Sequence, residues 1–385
     1  GSGPAGCLYG ASGTSVSRLK IENCLFRYAS PTQRPPFIFL ELVKEQINSQ
    51  IEILSNSFEE TGASTDLAQS QAAIVIRTLN SGGGTLPAVL INSRISHNYC
   101  NYKQGIFVTS VASSGVAATP GLNVYATEIS HNTCGMIGVV ASSVVNTLAT
   151  LASLDLNTGL TISQNTCQII GPFYGNGDEV VDAGDLGYGT GNVEIIHNRC
   201  HWVAYQASDI TASNQYSHTV ISSNSLQAAN STYLSLFTPV LPNYAINVFD
   251  FSDLTSSEVM IESNKIDFGR VDGVTYGYDR GIACSCSATV SHNIIKGMNT
   301  SARGIRVSAD GGGNSTKRYL VTGNKIYRGS VSITNFISVP GTNGAHEGVV
   351  VENYFDSHTI DGSDTIVINN VPTGWTIARN KNQTQ

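Results

Sequence analysis

The chain has 385 residues, of which 41% are hydrophobic and only 13% charged, about half the roughly 25% charge of an ordinary soluble domain, and this excludes a disordered segment. Its 28 acidic and 21 basic side chains leave a net charge of −7, which provides no electrostatic grip on a nucleic acid. The most apolar stretch, Met136 to Leu154, is broken by Ser142, Ser143, Asn146 and Thr147, short of the roughly 18 uninterrupted apolar residues of a spanning helix, so no membrane insertion is expected.

At the amino end, Gly1-Ser2-Gly3 has neither the basic start nor the apolar core of a signal peptide and has the look of a cleavage remnant, so the native start is expected to be missing. Residues 1–16 read as an entry segment and 17–385 as stacked turns. The mark of each turn is an apolar residue, two variable residues and an Asn, with another apolar residue two places on. It begins loosely at Asn23 and Asn56 and becomes clear at Ile95-Ser96-His97-Asn98, Ile129-Ser130-His131-Asn132 and Ile162-Ser163-Gln164-Asn165. It continues through Asn198, Asn224, Asn264, Asn293, Asn324, Asn353 and Asn380, giving twelve marks 26 to 42 residues apart.

Two residues after the Asn marks stand Leu25, Phe58, Cys100, Cys134, Cys167, Cys200, Leu226, Ile266, Ile295, Ile326 and Phe355, an entirely apolar column. Alternation with a period of two, abundant Val, Ile and Thr, and no sustained 3.6-residue period predict short strands and bends. A unit of about 30 residues built this way cannot bury its own apolar face and must stack on its neighbours. Stacked strands lie about 4.7 to 4.9 Å apart, close enough for equivalent Asn amides to bond one another as a ladder. This pattern resembles the single-stranded right-handed parallel β-helix of the pectin-lyase-like superfamily, from Asn23 to Asn380. The resemblance implies an all-β solenoid of about 12 turns with an internal Asn ladder, and its handedness.

The Cys column reads as buried hydrophobes, because other turns fill the same place with Ile, Leu or Phe. A stack of free thiols points to assembly in a reducing compartment. Cys284-Ser285-Cys286 offers too few ligands for zinc. His97, His131, His197 and His292 each precede a ladder Asn and are expected to face outward as surface decoration.

Solenoid function resides in insertions and exposed sheet faces. The most distinctive insertion carries Asp178, Glu179, Asp182 and Asp185, four carboxylates in eight residues, flanked by Tyr174 and Tyr188. Counting from the ladder marks brings Trp202, Tyr205 and Tyr233 beside it, and the stretch after Asn264 adds Tyr276, Tyr278, Asp279 and Arg280. Sugars offer apolar C–H faces and hydroxyls to aromatic platforms and carboxylates, and paired carboxyl groups cut glycosidic bonds. The four acids are therefore the candidate catalytic groups of a glycoside hydrolase, and the aromatics with Asp279 and Arg280 the candidate substrate contacts. No metal site is assigned and no cofactor is required; a structural Ca²⁺ in the acidic loop is the alternative use of those carboxylates. Arg280 is the candidate base of a β-elimination.

The chain further resembles the receptor-binding β-helix of a bacteriophage tailspike, in its Asn-marked coils, low charge and free Cys. That resemblance implies a homotrimer of the virion, assembled in the host cytoplasm, that binds and cleaves a bacterial surface polysaccharide, and it implies native head-binding and trimer-forming modules beyond the two ends of this chain. The alternatives are a non-catalytic carbohydrate-binding adhesin or structural rod, and a secreted or cell-surface polysaccharide lyase or epimerase.

Overall fold

The computed structural model describes residues 8–10, 15–28, 36–43, 46–60, 71–78, 88–100, 104–110, 122–140, 159–171, 174–176, 179–182, 193–207, 217–228, 244–250, 257–269, 280–298, 303–307, 317–328, 335–338, 347–356 and 375–383. Among these residues every regular element is a β-strand. The chain divides into two compact units, Gly1–Glu194 and Ile195–Gln385, and each is a stack of parallel β-helical coils.

In the first unit the strands Lys20–Glu22, Glu52–Leu54, Arg94–Ser96, Thr127–Ser130 and Leu160–Ser163 pair in that order, all parallel. The register lays Ile21, Ile53, Ile95, Ile129 and Ile162 over one another, none more than 5% exposed. Alternation sends the preceding residues outward as a second column, Lys20, Glu52, Arg94, Glu128 and Thr161, in which neighbours of opposite charge meet; Arg94 Nε lies 3.4 Å from a Glu128 carboxylate oxygen. In the second unit the strands Ser217–Ser222, Ser257–Glu262, Ala288–Ser291, Arg318–Thr322, Glu347–Val351 and Trp375–Ala378 repeat the arrangement. Their core column is Ile221, Ile261, Val290, Val321 and Val350, each 0% exposed. Counting Val193–Ile196 at the division, the described strands of this kind number twelve, one per expected turn. β-Branched side chains suit this setting because their restricted χ1 costs little on a pleated surface where each packs on its counterpart one coil away.

The chain leaves each of these strands through a single residue in the left-handed region. In the first unit these are Ser55, His97, His131 and Gln164, and in the second His197, Ser223, Ser263, His292, Gly323, Glu352 and Arg379, with φ between 55° and 65°. Four first-unit strands are also entered through such a residue, five positions earlier, at Arg18, Gln50, Asn92 and Ala126. A non-Gly residue there costs roughly 1 to 2 kcal/mol, so something must repeatedly stabilise the bend.

The next residue supplies it. Asn56 donates from Nδ2 to Asn98 Oδ1, Asn98 to Asn132 and Asn132 to Asn165, each at 3.0 Å. The second unit continues likewise from Asn198 through Asn224, Asn264, Asn293, Asn324 and Asn353 to Asn380, at 2.9 to 3.0 Å. The same Oδ1 atoms accept the backbone N–H of the preceding ladder Asn. The second Nδ2 proton goes back to the carbonyl of a core aliphatic, as from Asn98 to Ile53 and from Asn264 to Ile221. Both lone pairs and both protons of an interior ladder amide are thus used.

One mark is displaced. Asn23 carries φ 55°, the conformation of the residue that precedes a ladder Asn in other coils. Cys24 occupies the ladder place, its N–H donating to Asn56 Oδ1 at 3.0 Å and its Sγ to Glu22 O. Register pairs Leu25 with Ser57 and Phe26 with Phe58. Leu25 is accordingly 56% exposed, while Phe26 stacks on Phe58 at 5.1 Å. The apolar column begins at Phe26, because counting two residues from Asn23 counts from the wrong side of the bend. From Phe58 onward the column is as expected: Cys100, Cys134 and Cys167 in the first unit, and Cys200, Leu226, Ile266, Ile295, Ile326 and Phe355 in the second, are at most 6% exposed.

Replacing Asn264 with Ala strands the Asn224 donors and the Ile221 carbonyl in the core, and should lower unfolding free energy by about 3 kcal/mol with an unchanged urea m-value. Cys24→Asn should instead extend the ladder by one amide and raise stability by about 1 kcal/mol in the same titration.

Candidate functional site

The acidic insertion follows the core strand Ile169–Gly171 within the first unit. Within it Tyr174–Asn176 and Glu179–Asp182 pair antiparallel, the one antiparallel pairing among the described residues. A hairpin cannot join the parallel stack of a coil, so this segment departs from the helical path. Its register sets Tyr174 opposite Asp182, Gly175 opposite Val181 and Asn176 opposite Glu179. An irregularity between Gly175 and Asn176 passes over Val180 and makes Glu179 the partner of Asn176. Such bulges re-aim a strand at its end. Two of the four expected carboxylate residues are therefore placed across from an aromatic and an amide residue. Asp178, Asp185 and Tyr188 lie outside the described residues.

In the second unit Trp202 and Tyr205 share the strand Trp202–Ala207, which pairs parallel with Tyr244–Asp250, Tyr205 beside Val248. Trp202 is 4% exposed and belongs to the core. Tyr233, Tyr276, Tyr278 and Asp279 lie outside the described residues. Arg280 opens the strand Arg280–Cys284; its Nη1 donates to Tyr244 Oη at 2.6 Å and its guanidinium carbon stands 4.6 Å from that ring's centroid. The register places Tyr244, Arg280 and Arg303 on three successive coils. Arg280 is thus committed to a tyrosine that offset counting passed over, because the partner stands one coil earlier and 36 positions away in the chain.

Several other groups were not singled out by sequence. Arg77 and Glu41 form an ion pair at 2.8 Å, with side chains 15% and 5% exposed, and the guanidinium covers the Phe39 ring at 4.4 Å. Both sit on neighbouring strands of the first unit, Ile38–Leu42 and Gln71–Thr78. In the second unit His201 Nδ1 bonds the Gln227 carbonyl. Burial holds its pKa below the ordinary histidine value, opposed by that carbonyl bond, while the nearby Arg199 charge lowers it further. Backbone spacing alone carried no signal for either group.

The outward histidines are as expected: His97, His131, His197 and His292 are exposed, and the His97 and His131 rings stack at 4.6 Å, 6° from parallel. No Cys of the column is in a disulfide, and all four are buried. Burial pushes the Cys134 thiol up to about 12, with a weaker opposing bond to the Met136 backbone, and pushes Cys100 well up as well, reinforced by Cys134. These thiols are protonated packing groups and poor nucleophiles. Among the described residues no three His, Cys, Asp or Glu side chains come together as a metal cluster, and no helix is long and apolar enough to cross a membrane.

Comparison of the chain with protein-family models, with curated proteins and with solved structures returns no match.

Because the folded Cys134 keeps its proton up to about pH 12 while an unfolded thiol releases it near 9, its contribution to stability is complete below pH 9 and is lost as pH rises toward 12. Cys134→Val, which retains the apolar volume, should flatten that alkaline decline by about 1.4 kcal/mol per pH unit, read from urea midpoints of both proteins across this range.

Proposed function

We propose that this protein binds a bacterial surface polysaccharide and hydrolyses it with paired carboxyl groups, as a phage tailspike-like depolymerase. The observation that carries the reading is the hairpin insertion, whose register sets Tyr174 against Asp182 and Asn176 against Glu179. Aromatic, amide and acid groups in one small element are what a sugar requires: a platform for its C–H face, polar partners for hydroxyls, and an acid with its conjugate partner at the glycosidic oxygen. The insertion lies between coil strands, and solenoids carry variable sites in such insertions on a fixed scaffold. Low charge favours a neutral or weakly charged glycan over a polyanion such as nucleic acid. Glu179 and Asp182 are assigned as the reacting pair, with Asp178 and Asp185 as further acids of the same loop and Tyr174 as a sugar platform.

The tailspike resemblance adds a homotrimer of the virion to the proposal, with assembly in a reducing cytoplasm in keeping with the free Cys column. Arg280 is no longer the obvious base for elimination, since its guanidinium is bonded to Tyr244, and hydrolysis is therefore preferred to lyase chemistry. A binding-only adhesin would use the same aromatic and amide groups without turnover.

Incubation with capsule and O-antigen polysaccharides should release reducing ends without forming the unsaturated uronate of a lyase. Glu179→Gln and Asp182→Asn should each reduce that release at least about 100-fold with retained glycan binding, whereas Tyr174→Ala should weaken binding by up to about tenfold. Full cleavage by both carboxylate variants would remove the site assignment, and binding without release by the unaltered protein would establish the adhesin.

A further inference from the structure

We infer that Cys284 and Cys286 form a dithiol that peroxide closes to an intrachain disulfide in the folded protein. The two Sγ atoms lie 3.3 Å apart, neither is in a disulfide, and the residues are 2% and 0% exposed. Reaching the roughly 2.05 Å of a disulfide bond requires only about 1.2 Å of further closure. The proximity has a local cause. The strand Arg280–Cys284 ends at the first thiol, and the chain bends through Ser285–Ser287 before resuming at Ala288. In a straight strand residues two apart sit near the long limit for bridging; the bend shortens that separation and turns both sulfurs inward.

The connecting peptide is clamped on both sides. Ser285 N–H donates to Val248 O at 2.9 Å, and Ser285 O accepts from Lys317 Nζ at 2.8 Å. Lys317 is only 4% exposed, an uncommon depth for an ammonium group. Its ammonium group fixes the peptide that joins the two thiols, so their separation is held by the surrounding coil. Cys100, Cys134 and Cys167 differ in spacing: they stand on successive coils, at the wider strand spacing of about 4.8 Å.

The step balances with hydrogen peroxide as oxidant. One sulfur attacks the peroxide O–O bond, becoming a sulfenic acid and releasing the first water. The second sulfur displaces the sulfenic hydroxyl, which leaves as the second water with that thiol's proton, and the S–S bond forms. Two electrons and two protons pass from the thiols to the peroxide. Since the ring closes over a single intervening residue it removes little chain entropy, so the bond is a reversible oxidation mark rather than a structural staple.

The test uses the whole protein. The folded chain is treated with dilute peroxide, quenched, unfolded in excess alkylating agent and digested with trypsin; cleavage after Arg280 and Lys296 yields a peptide, 281–296, that holds these two Cys and no other. The expected result is a peptide two hydrogens lighter and free of alkyl groups, formed at least tenfold faster in the folded than in the urea-unfolded protein, while Cys100, Cys134 and Cys167 remain alkylatable. Cys284→Ser should abolish the light species. Double alkylation of the peptide, its linkage to another Cys peptide, a sulfinic acid without the bridge, or equal rates in folded and unfolded protein would each overturn the inference. None of these readouts depends on glycan binding or cleavage.

Discussion

An amide buried in an apolar core is tolerable only if all its hydrogen-bonding capacity is met, and among the described residues half of it is met by the same amide in the next coil. Asn98 illustrates the constraint: its Oδ1 serves Asn56, its Nδ2 serves Asn132, and its second proton reaches back to Ile53. A slip of one residue would replace each of these bonds with an unsatisfied donor or acceptor, costing about 1 to 3 kcal/mol apiece. The ladder therefore sets register more stringently than apolar packing could, since aliphatic columns tolerate sliding far better than amides do.

That register explains two features that look costly in isolation. Left-handed residues recur at every ladder bend, and most are not glycine: Ser55, His97, Gln164, Glu352 and Arg379 among them. Each occupies a strained region because the following Asn must turn its amide inward, and the resulting bonds offset the strain. The bend residue's own side chain is left outside, which is why this position accepts His, Ser, Gln, Glu or Arg. The same register makes each inward column a stack of like residues, with Cys100, Cys134 and Cys167 filling places held elsewhere by Ile. The departures from that regularity are local: the antiparallel pairing of Glu179–Asp182 with Tyr174–Asn176, and the turn that brings Cys284 and Cys286 together.

The fold was far more legible than the site. Asn marks and the apolar column record interactions that repeat along the chain, so each copy corroborates the others. Where a copy is weak the reading drifts: Asn23 bears the right side chain one residue early, and only the pairing of Phe26 with Phe58 reveals that Cys24 holds the ladder place. Site contacts do not repeat. Trp202 was expected on an aromatic face by counting from Asn198, yet its burial puts it in the core. Arg280 was singled out for its charge, while its partner Tyr244 carried no mark in the sequence.

By itself the sequence determined an all-β chain of stacked coils, with Asn and aliphatic columns at strand spacing, because translational repetition writes the same physical requirement many times over. Tertiary structure alone decided which residue of a bend turns inward, that Glu179 rather than Val180 is the register partner of Asn176, and that Cys284 and Cys286 meet beneath a peptide held by Lys317. Those outcomes depend on bends, bulges and neighbours one coil away, separated along the chain by loops of unequal length, and no fixed offset encodes them.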